Sequence, residues 1–447
     1  MNTIGFISLG CPKNQLDSEI MIGLLHDAGY TVVPEDDAEI LIVNTCGFIQ
    51  AAKEEAVETT LDAARYKERG NCRKLVMAGC FSQRYVRDLV NEIPEVDLFM
   101  GLDDVPRIVE ICRLLEAGDE ARVSGTLTQN LPSTYLYDHT LPRLNLGKPH
   151  TAYVKIAEGC RYQCAFCAIP AIRGKLRSRS QESIGQEVRQ LAAQGVKEAL
   201  LIAQDTTSYG VDLSGTSQIV PLLESLVEQD SVDWIRLMYA YPTSLDRLLM
   251  RIIANEPKIC TYIDLPLQHI DNAILNNMRR AITEAQTREL LEKLRVEIPA
   301  LTLRTSFIVG FPGETDDAFR KLEEFVQEVQ FDRVGVFAYS HEEGTPAYEF
   351  PNQVPAEVAQ ERHDRLMEIQ ADISLTKHQH LVGSVQTVLI DGESPETELL
   401  VEGRLEGQAP DIDGVVYITE GDTEQGRFEQ VEITEAHPYD LVGRIVE

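Results

Sequence analysis

The sequence contains no run approaching the ~18 consecutive apolar residues that cross a bilayer. A helical membrane protein is therefore not expected. The opening residues, Met1-Asn2-Thr3-Ile4-Gly5-Phe6-Ile7, lack a basic segment ahead of an apolar one, so no secretory signal is expected and the reading is of a cytoplasmic protein. Basic residues are scarce: 41 Lys and Arg face 72 Asp and Glu, a net charge of −31. Such a chain repels nucleic acid at long range and attracts basic partners, so neither DNA nor a membrane is expected as a partner. Nine cysteines, an odd number, speak against a disulfide framework and for reduced thiols that bind metal.

Three of those cysteines, Cys160, Cys164 and Cys167, share one short loop, Glu158-Gly159-Cys160-Arg161-Tyr162-Gln163-Cys164-Ala165-Phe166-Cys167. No histidine or cysteine nearby offers a fourth ligand, and structural zinc normally closes its shell with four. A cubane iron–sulfur cluster held by three thiolates keeps one iron open for a small molecule. The alternative is a zinc site, or cysteines that merely lie close together.

The rest of the chain reads in three blocks. Thr3–Leu9, Glu39–Asn44, Lys74–Ala78 and Val96–Met100 are strand-like and alternate with helical stretches, which predicts an α/β domain with a parallel sheet over 1–124. Cys11, Cys46 and Cys80 follow the first three strands in small-residue turns. In a parallel sheet these turns share the carboxyl edge, where ligand sites gather. They form either a second three-thiolate site or buried turn cysteines. Cys72, Cys112 and Cys260 fit neither set and read as core or surface thiols.

Residues 125–148 read as a linker rich in Pro, Thr, Asn and Leu. Over 149–378 six strand–helix units follow, with strands at Ala152–Ile156, Ala199–Ala203, Trp234–Tyr239, Tyr262–Leu265, Thr302–Val309 and Arg333–Ala338. Six units predict an open, partial (β/α)6 TIM-type barrel whose mouth is the carboxyl edge of its strands. Ala356–Lys377 reads as a closing helix. Over 379–447, four short strands (Val385–Ile390, Glu398–Arg404, Val415–Thr419, Gln430–Thr434) predict a small antiparallel β-barrel. Residues 381–447 hold 3 basic against 16 acidic residues, the densest charge in the chain.

The cysteine loop, with Phe166 before its last cysteine, resembles the radical S-adenosylmethionine (SAM) superfamily. The three blocks together resemble the radical SAM methylthiotransferases over essentially the whole chain. The resemblance implies two [4Fe-4S] clusters, on Cys160, Cys164 and Cys167 and on Cys11, Cys46 and Cys80, with SAM as cofactor. It also names the C-terminal barrel a TRAM domain. One SAM would give a 5′-deoxyadenosyl radical at the barrel cluster, and a second would methylate sulfur on the other. Both open irons must then face one cavity, with the N-terminal sheet capping the barrel mouth.

Members of that family modify either an adenosine of transfer RNA or an aspartate of small-subunit ribosomal protein twelve. Ser8-Leu9-Gly10-Cys11-Pro12-Lys13-Asn14, Gln204-Asp205-Thr206-Thr207-Ser208-Tyr209-Gly210 and Leu265-Pro266-Leu267-Gln268-His269 resemble the second class. RNA-modifying members tend to carry Gln-Met at Pro12-Lys13 and Ser-Gly at His269-Ile270. The acidic tail agrees, since it would repel phosphate and suit a basic ribosomal protein. The alternatives are the transfer RNA enzyme and a non-catalytic iron–sulfur scaffold. An electron donor such as a flavodoxin or ferredoxin, and a sulfur source, are implied partners.

SAM contacts are expected from Phe166, Gln204, Asp205, Gln268, Ser306 and Gly310 at strand ends. The run Arg173-Gly174-Lys175-Leu176-Arg177-Ser178-Arg179 either holds a carboxylate by bidentate pairing or is a solvated loop. His269 either bonds a substrate carboxylate or is structural.

Overall fold

The computed structural model describes residues 2–118, 122–127, 131–395 and 397–446, with side-chain placement of 398 and 399 left aside. Part of the expected linker, 128–130, lies outside them. The N-terminal sheet is fully parallel, in the order β2-β1-β3-β4-β5: β1 (Thr3–Ser8), β2 (Thr31–Val32), β3 (Ile40–Thr45), β4 (Lys74–Gly79) and β5 (Leu98–Phe99). Every residue of β3, Ile-Leu-Ile-Val-Asn-Thr, is buried, as a central strand covered by helices on both faces must be. β2 has only two residues, both exposed, too short to leave a strand pattern in the sequence.

Six parallel strands follow in two sheets: β6 (Thr151–Lys155), β9 (Glu198–Ile202) and β10 (Trp234–Leu237), then β11 (Tyr262–Asp264), β12 (Thr302–Val309) and β13 (Arg333–Ala338). A parallel bridge between Ile235 and Ile259 links the two sheets. A short antiparallel pair, β7 (Ala157–Glu158) with β8 (Arg177–Ser178), brackets the cysteine loop. Alternate residues divide the faces. Ala199, Leu201 and Ala203 pack on the surrounding helices, whereas Ile202 joins Trp234, Met238 and Tyr262 inside the half-barrel.

The C-terminal region is a closed barrel of five strands, not four: β14 (Val385–Ser394), β15 (Thr397–Leu405), β16 (Val416–Glu420), β17 (Phe428–Ala436) and β18 (Leu441–Ile445). Its closure is not wholly antiparallel, because β18 inserts between β17 and β16 and pairs parallel to β16. This barrel seals the amino-terminal floor of the half-barrel. Arg404 pairs with Glu198 at 2.8 Å and with Asp391 at 2.7 Å, Arg236 donates to the Glu406 carbonyl at 2.7 Å, and Tyr262 donates to Asp413 at 2.6 Å. Leu389 and Ala409 complete the apolar contact.

The stretch read as a linker is a packed strap. Tyr137 is buried in the N-terminal core and donates to Glu187, and Arg143 bridges Glu19 at 2.6 Å and Glu187 at 2.8 Å. Among the described residues no helix is long and apolar enough to cross a membrane.

Candidate functional site

The sheet-edge cysteines owe their positions to backbone that only glycine accepts. Gly10 has φ +89°, and a Cβ there would stand 2.7 Å from the Cβ of Cys46. Gly79 has φ +95°, and a Cβ there would meet Asn44 Oδ1 at 2.3 Å. Cys11 caps the helix Pro12–Asp27, and Cys80 opens the helix Cys80–Glu92. Asn14, a turn beyond Cys11, donates to the Leu9 and Thr45 carbonyls and lies 3.5 Å from Cys80 Sγ. Burial raises the Cys46 thiol, and lifts Cys80 to about 12, with the neighbouring cysteines adding to it.

The second trio sits on a loop pinned at both ends. Gly159 turns at φ +71° against the Lys175 carbonyl, and Cys160 N–H donates to Gly174 at 3.1 Å. Ala165 is held by Met278 and Ala347, and Phe166 packs in the apolar cluster around Phe311. Burial pushes Cys160 to about 11 and Cys167 to about 12. Tyr162 stacks on Tyr241 at 3.8 Å, and Arg280, lying over the other ring, reaches Cys164 Sγ at 3.8 Å. Among the described residues no three His, Cys, Asp or Glu groups converge on a single-ion site. Both donor sets fit an iron–sulfur cluster in kind: three soft thiolates each, in glycine-bounded turns, with Arg173 or Arg280 nearby to balance anionic charge.

The two trios meet. Cys80 packs in one cluster with Ala168, next to Cys167, and with Ile172. Arg173, 2% exposed, donates to Glu158 at 2.7 Å, to Asn14 at 2.7 Å and to Asp17 at 3.0 Å. Lys155 joins Asp17 at 2.7 Å and Glu158 at 2.9 Å. Burial disfavours both charged partners, but Arg173 and Lys155 hold the Glu158 carboxyl well below the ordinary range. On the other rim Glu342 takes Arg84 at 2.8 Å and Lys53 at 3.0 Å. The carboxyl edge of the N-terminal sheet thus lies over the mouth of the half-barrel.

The expected SAM contacts divide. Gln204 donates to Glu158 at 2.9 Å while its Oε1 has no partner among the described residues, so it keeps an acceptor at the mouth. Gln268 follows β11 at φ +73°, a strained backbone for a non-glycine residue. Its N–H donates to the carbonyl of Ser306 on β12. Asp205 is taken up locally: its oxygens accept from Thr207 N–H at 2.9 Å and from the Thr207 and Ser208 hydroxyls. Gly310 donates to Glu314 and leaves room for Ala359, whose Cβ would lie 2.4 Å from an added Cβ. His269 is fully buried, accepts from Asp271 N–H and faces Glu314 at 3.4 Å, a structural role. In the basic run, Arg173 and Arg179 pair with buried glutamates and are not a solvated loop. Cys72, Cys112 and Cys260 are core thiols.

Sequence reading passed over Asp17, Lys155, Glu158, Tyr239 and Arg280. Glu158 abuts Cys160, and Asp17 lies two helical turns from Cys11; those were the available cues.

Three family models match: Uncharacterized protein family UPF0004 over 3–101, the Radical SAM superfamily over 154–326, and the TRAM domain over 382–446. The ribosomal protein uS12 methylthiotransferase RimO of Syntrophotalea carbinolica is 49% identical over 445 residues, covering 99% of this chain and 97% of its own. That of Desulforamulus reducens is 48% identical with 100% of both covered. The chain belongs to the uS12 methylthiotransferase family. It is a radical SAM enzyme, a class whose cofactors are a [4Fe-4S] cluster and SAM. Among solved structures, the radical SAM methyltransferase TsrM of Kitasatospora setae aligns at TM-score 0.56 with 14% identity, over 86% of this chain and 80% of that one. The cobalamin-dependent radical enzyme OxsB aligns at 0.50 with 12% identity, over 83% and 56%. These two likenesses concern the fold alone.

Proposed function

We propose that the chain adds a methylthio group to the β-carbon of an aspartate in ribosomal protein uS12. The reading rests on the apposition of the two trios, with Cys80 packed beside the residue that follows Cys167. Cys160, Cys164 and Cys167 would hold the cluster that supplies the electron for SAM cleavage, and Cys11, Cys46 and Cys80 a second one that supplies sulfur. The β-C–H of aspartate is unactivated, and no side chain here could remove it as a proton near neutral pH.

The chain's own residues perform supporting tasks in this reading. Gln204 and Gln268 offer polar contacts to SAM at the strand ends. Phe166, Tyr162 and Tyr241 exclude water from the loop cysteines. Arg173 and Lys155 hold the sheet edge closed over the mouth. Residues 1–124 and 149–378 act as units joined by 125–148, and 379–447 as a third, whose acidic charge suits a basic target. An electron donor such as a flavodoxin or ferredoxin, and a sulfur source, complete the set.

Anaerobically reconstituted protein, given SAM, sulfide, strong reductant and either uS12 or transfer RNA, decides the substrate by mass spectrometry. A methylthio gain on uS12 is expected. A gain on transfer RNA alone overturns the reading.

A further inference from the structure

Buried cations around the mouth come paired: Lys155 and Arg173 with Asp17 and Glu158, and Arg179 with Glu187. Arg280 departs from this pattern but reaches the Pro266 carbonyl and Cys164 Sγ; Lys13 departs further. It is 8% exposed, yet among the described residues its Nζ has neither a hydrogen bond nor a carboxylate within ion-pair distance. Its close contact is the Tyr239 ring, 3.3 Å from amine to centroid. A buried ammonium ion without an anion is costly, and a ring face compensates only part of that. Of the neighbouring anions, Glu158 is engaged by Arg173, Asp264 by Arg304 at 2.8 Å, and the Cys11 thiolate, in the reading above, by iron. Tyr239 presents its ring from a left-handed backbone, φ +59°, at the end of β10. Lys13 itself lies two residues past Cys11, so its amine stands between the sheet-edge trio and the barrel mouth.

We propose that Lys13 receives the side-chain carboxylate of the target aspartate; this rests on the function proposed above. The carboxylate supplies the missing anion in a desolvated site, and a charge-assisted hydrogen bond forms while the ring still covers the opposite face of the amine. An aspartate carboxylate is one bond from the β-carbon. Anchoring it therefore fixes which C–H is presented to the site. A neutral adenine brings no anion to Lys13, so the same contact separates a protein target from a nucleobase.

The test compares uS12 bearing the target aspartate with uS12 bearing asparagine there, by binding affinity and by KM. Wild-type enzyme is expected to prefer the aspartate form by about tenfold or more. Lys13→Met and Lys13→Gln should lose that preference, chiefly through KM, and Lys13→Arg should keep most of it. Should Lys13→Met fail to fold, Lys13→Gln and Lys13→Arg carry the same comparison. If wild-type enzyme modifies neither form, the proposed function itself falls and this role with it. If it modifies the aspartate form and Lys13→Gln retains the full preference, only the role of Lys13 is overturned.

Discussion

The mouth and the floor of the half-barrel are both charged and both buried, but they treat charge differently. At the floor, cations have anions: Arg236 with Glu198, and Arg404 with Glu198 and Asp391. At the mouth, groups are left unmatched. Among the described residues Gln204 Oε1 and Arg280 Nε have no partner and Lys13 no carboxylate within ion-pair distance, and Tyr239 and Gln268 hold strained backbones. A network whose charges are matched serves to fix one domain on another. One whose cations lack carboxylates, beside both cysteine trios, marks where ligands complete the set.

The largest effect should come from the mouth. Cys164→Ala should abolish deoxyadenosine release from SAM, whereas Cys46→Ala should lose the methylthio product with deoxyadenosine still forming; chromatography of the products separates the two. If both variants still cleave SAM, the division between the trios is wrong.

At the floor, Arg404→Met leaves Glu198 with Arg236 alone and Asp391 with Lys148 and His150. Removing one partner of a buried pair costs about 3–5 kcal/mol, readable as a lower denaturation midpoint. A variant that lost SAM affinity before stability would erase the contrast between floor and mouth.

Gly10→Ala tests the sheet edge alone. The left-handed backbone and the clash with Cys46 should cost about 1–3 kcal/mol and lower bound iron toward the content of one cluster, by iron and sulfide assay.

The smallest effect is acid sensitivity where the closing helix meets the C-terminal barrel. His378 faces Arg333 at 2.9 Å and the His437 carbonyl at 2.8 Å, and burial with Arg333 lowers it to about 4. A depressed histidine binds its proton more readily in the unfolded chain. Stability is therefore full above about pH 6.5 and falls as pH drops toward 4. His378→Gln should flatten that part of a pH–denaturation profile.

What could be read from the sequence follows the range of each interaction. Cys160, Cys164 and Cys167 lie within one turn of chain, so their spacing sufficed. Cys11, Cys46 and Cys80 are far apart, yet β1, β3 and β4 read as strands, and strand ends in a parallel sheet share an edge. The six barrel strands were legible to within three residues at either end. β18 was not, because Leu441–Ile445 contains Gly443 and Arg444 and gains its identity from pairing with β16 and β17. The contacts of Arg173 with Asp17 and of Arg404 with Glu198 span most of a domain and leave no local trace. Nor could the sequence show that Asp205 would cap its own turn, or that Tyr137 would turn a supposed linker into packed structure.

The ion pairs that cross from the N-terminal unit bear on how such a molecule can be dissected. Asp17 and Glu19 are each 1% exposed, and their cations, Lys155, Arg173 and Arg143, belong to the strap and the half-barrel. A fragment cut before residue 125 would keep the acids and forfeit every one of those counterions. The three matched blocks are therefore poor candidates for shuffling between homologues unless both halves of each pair travel together.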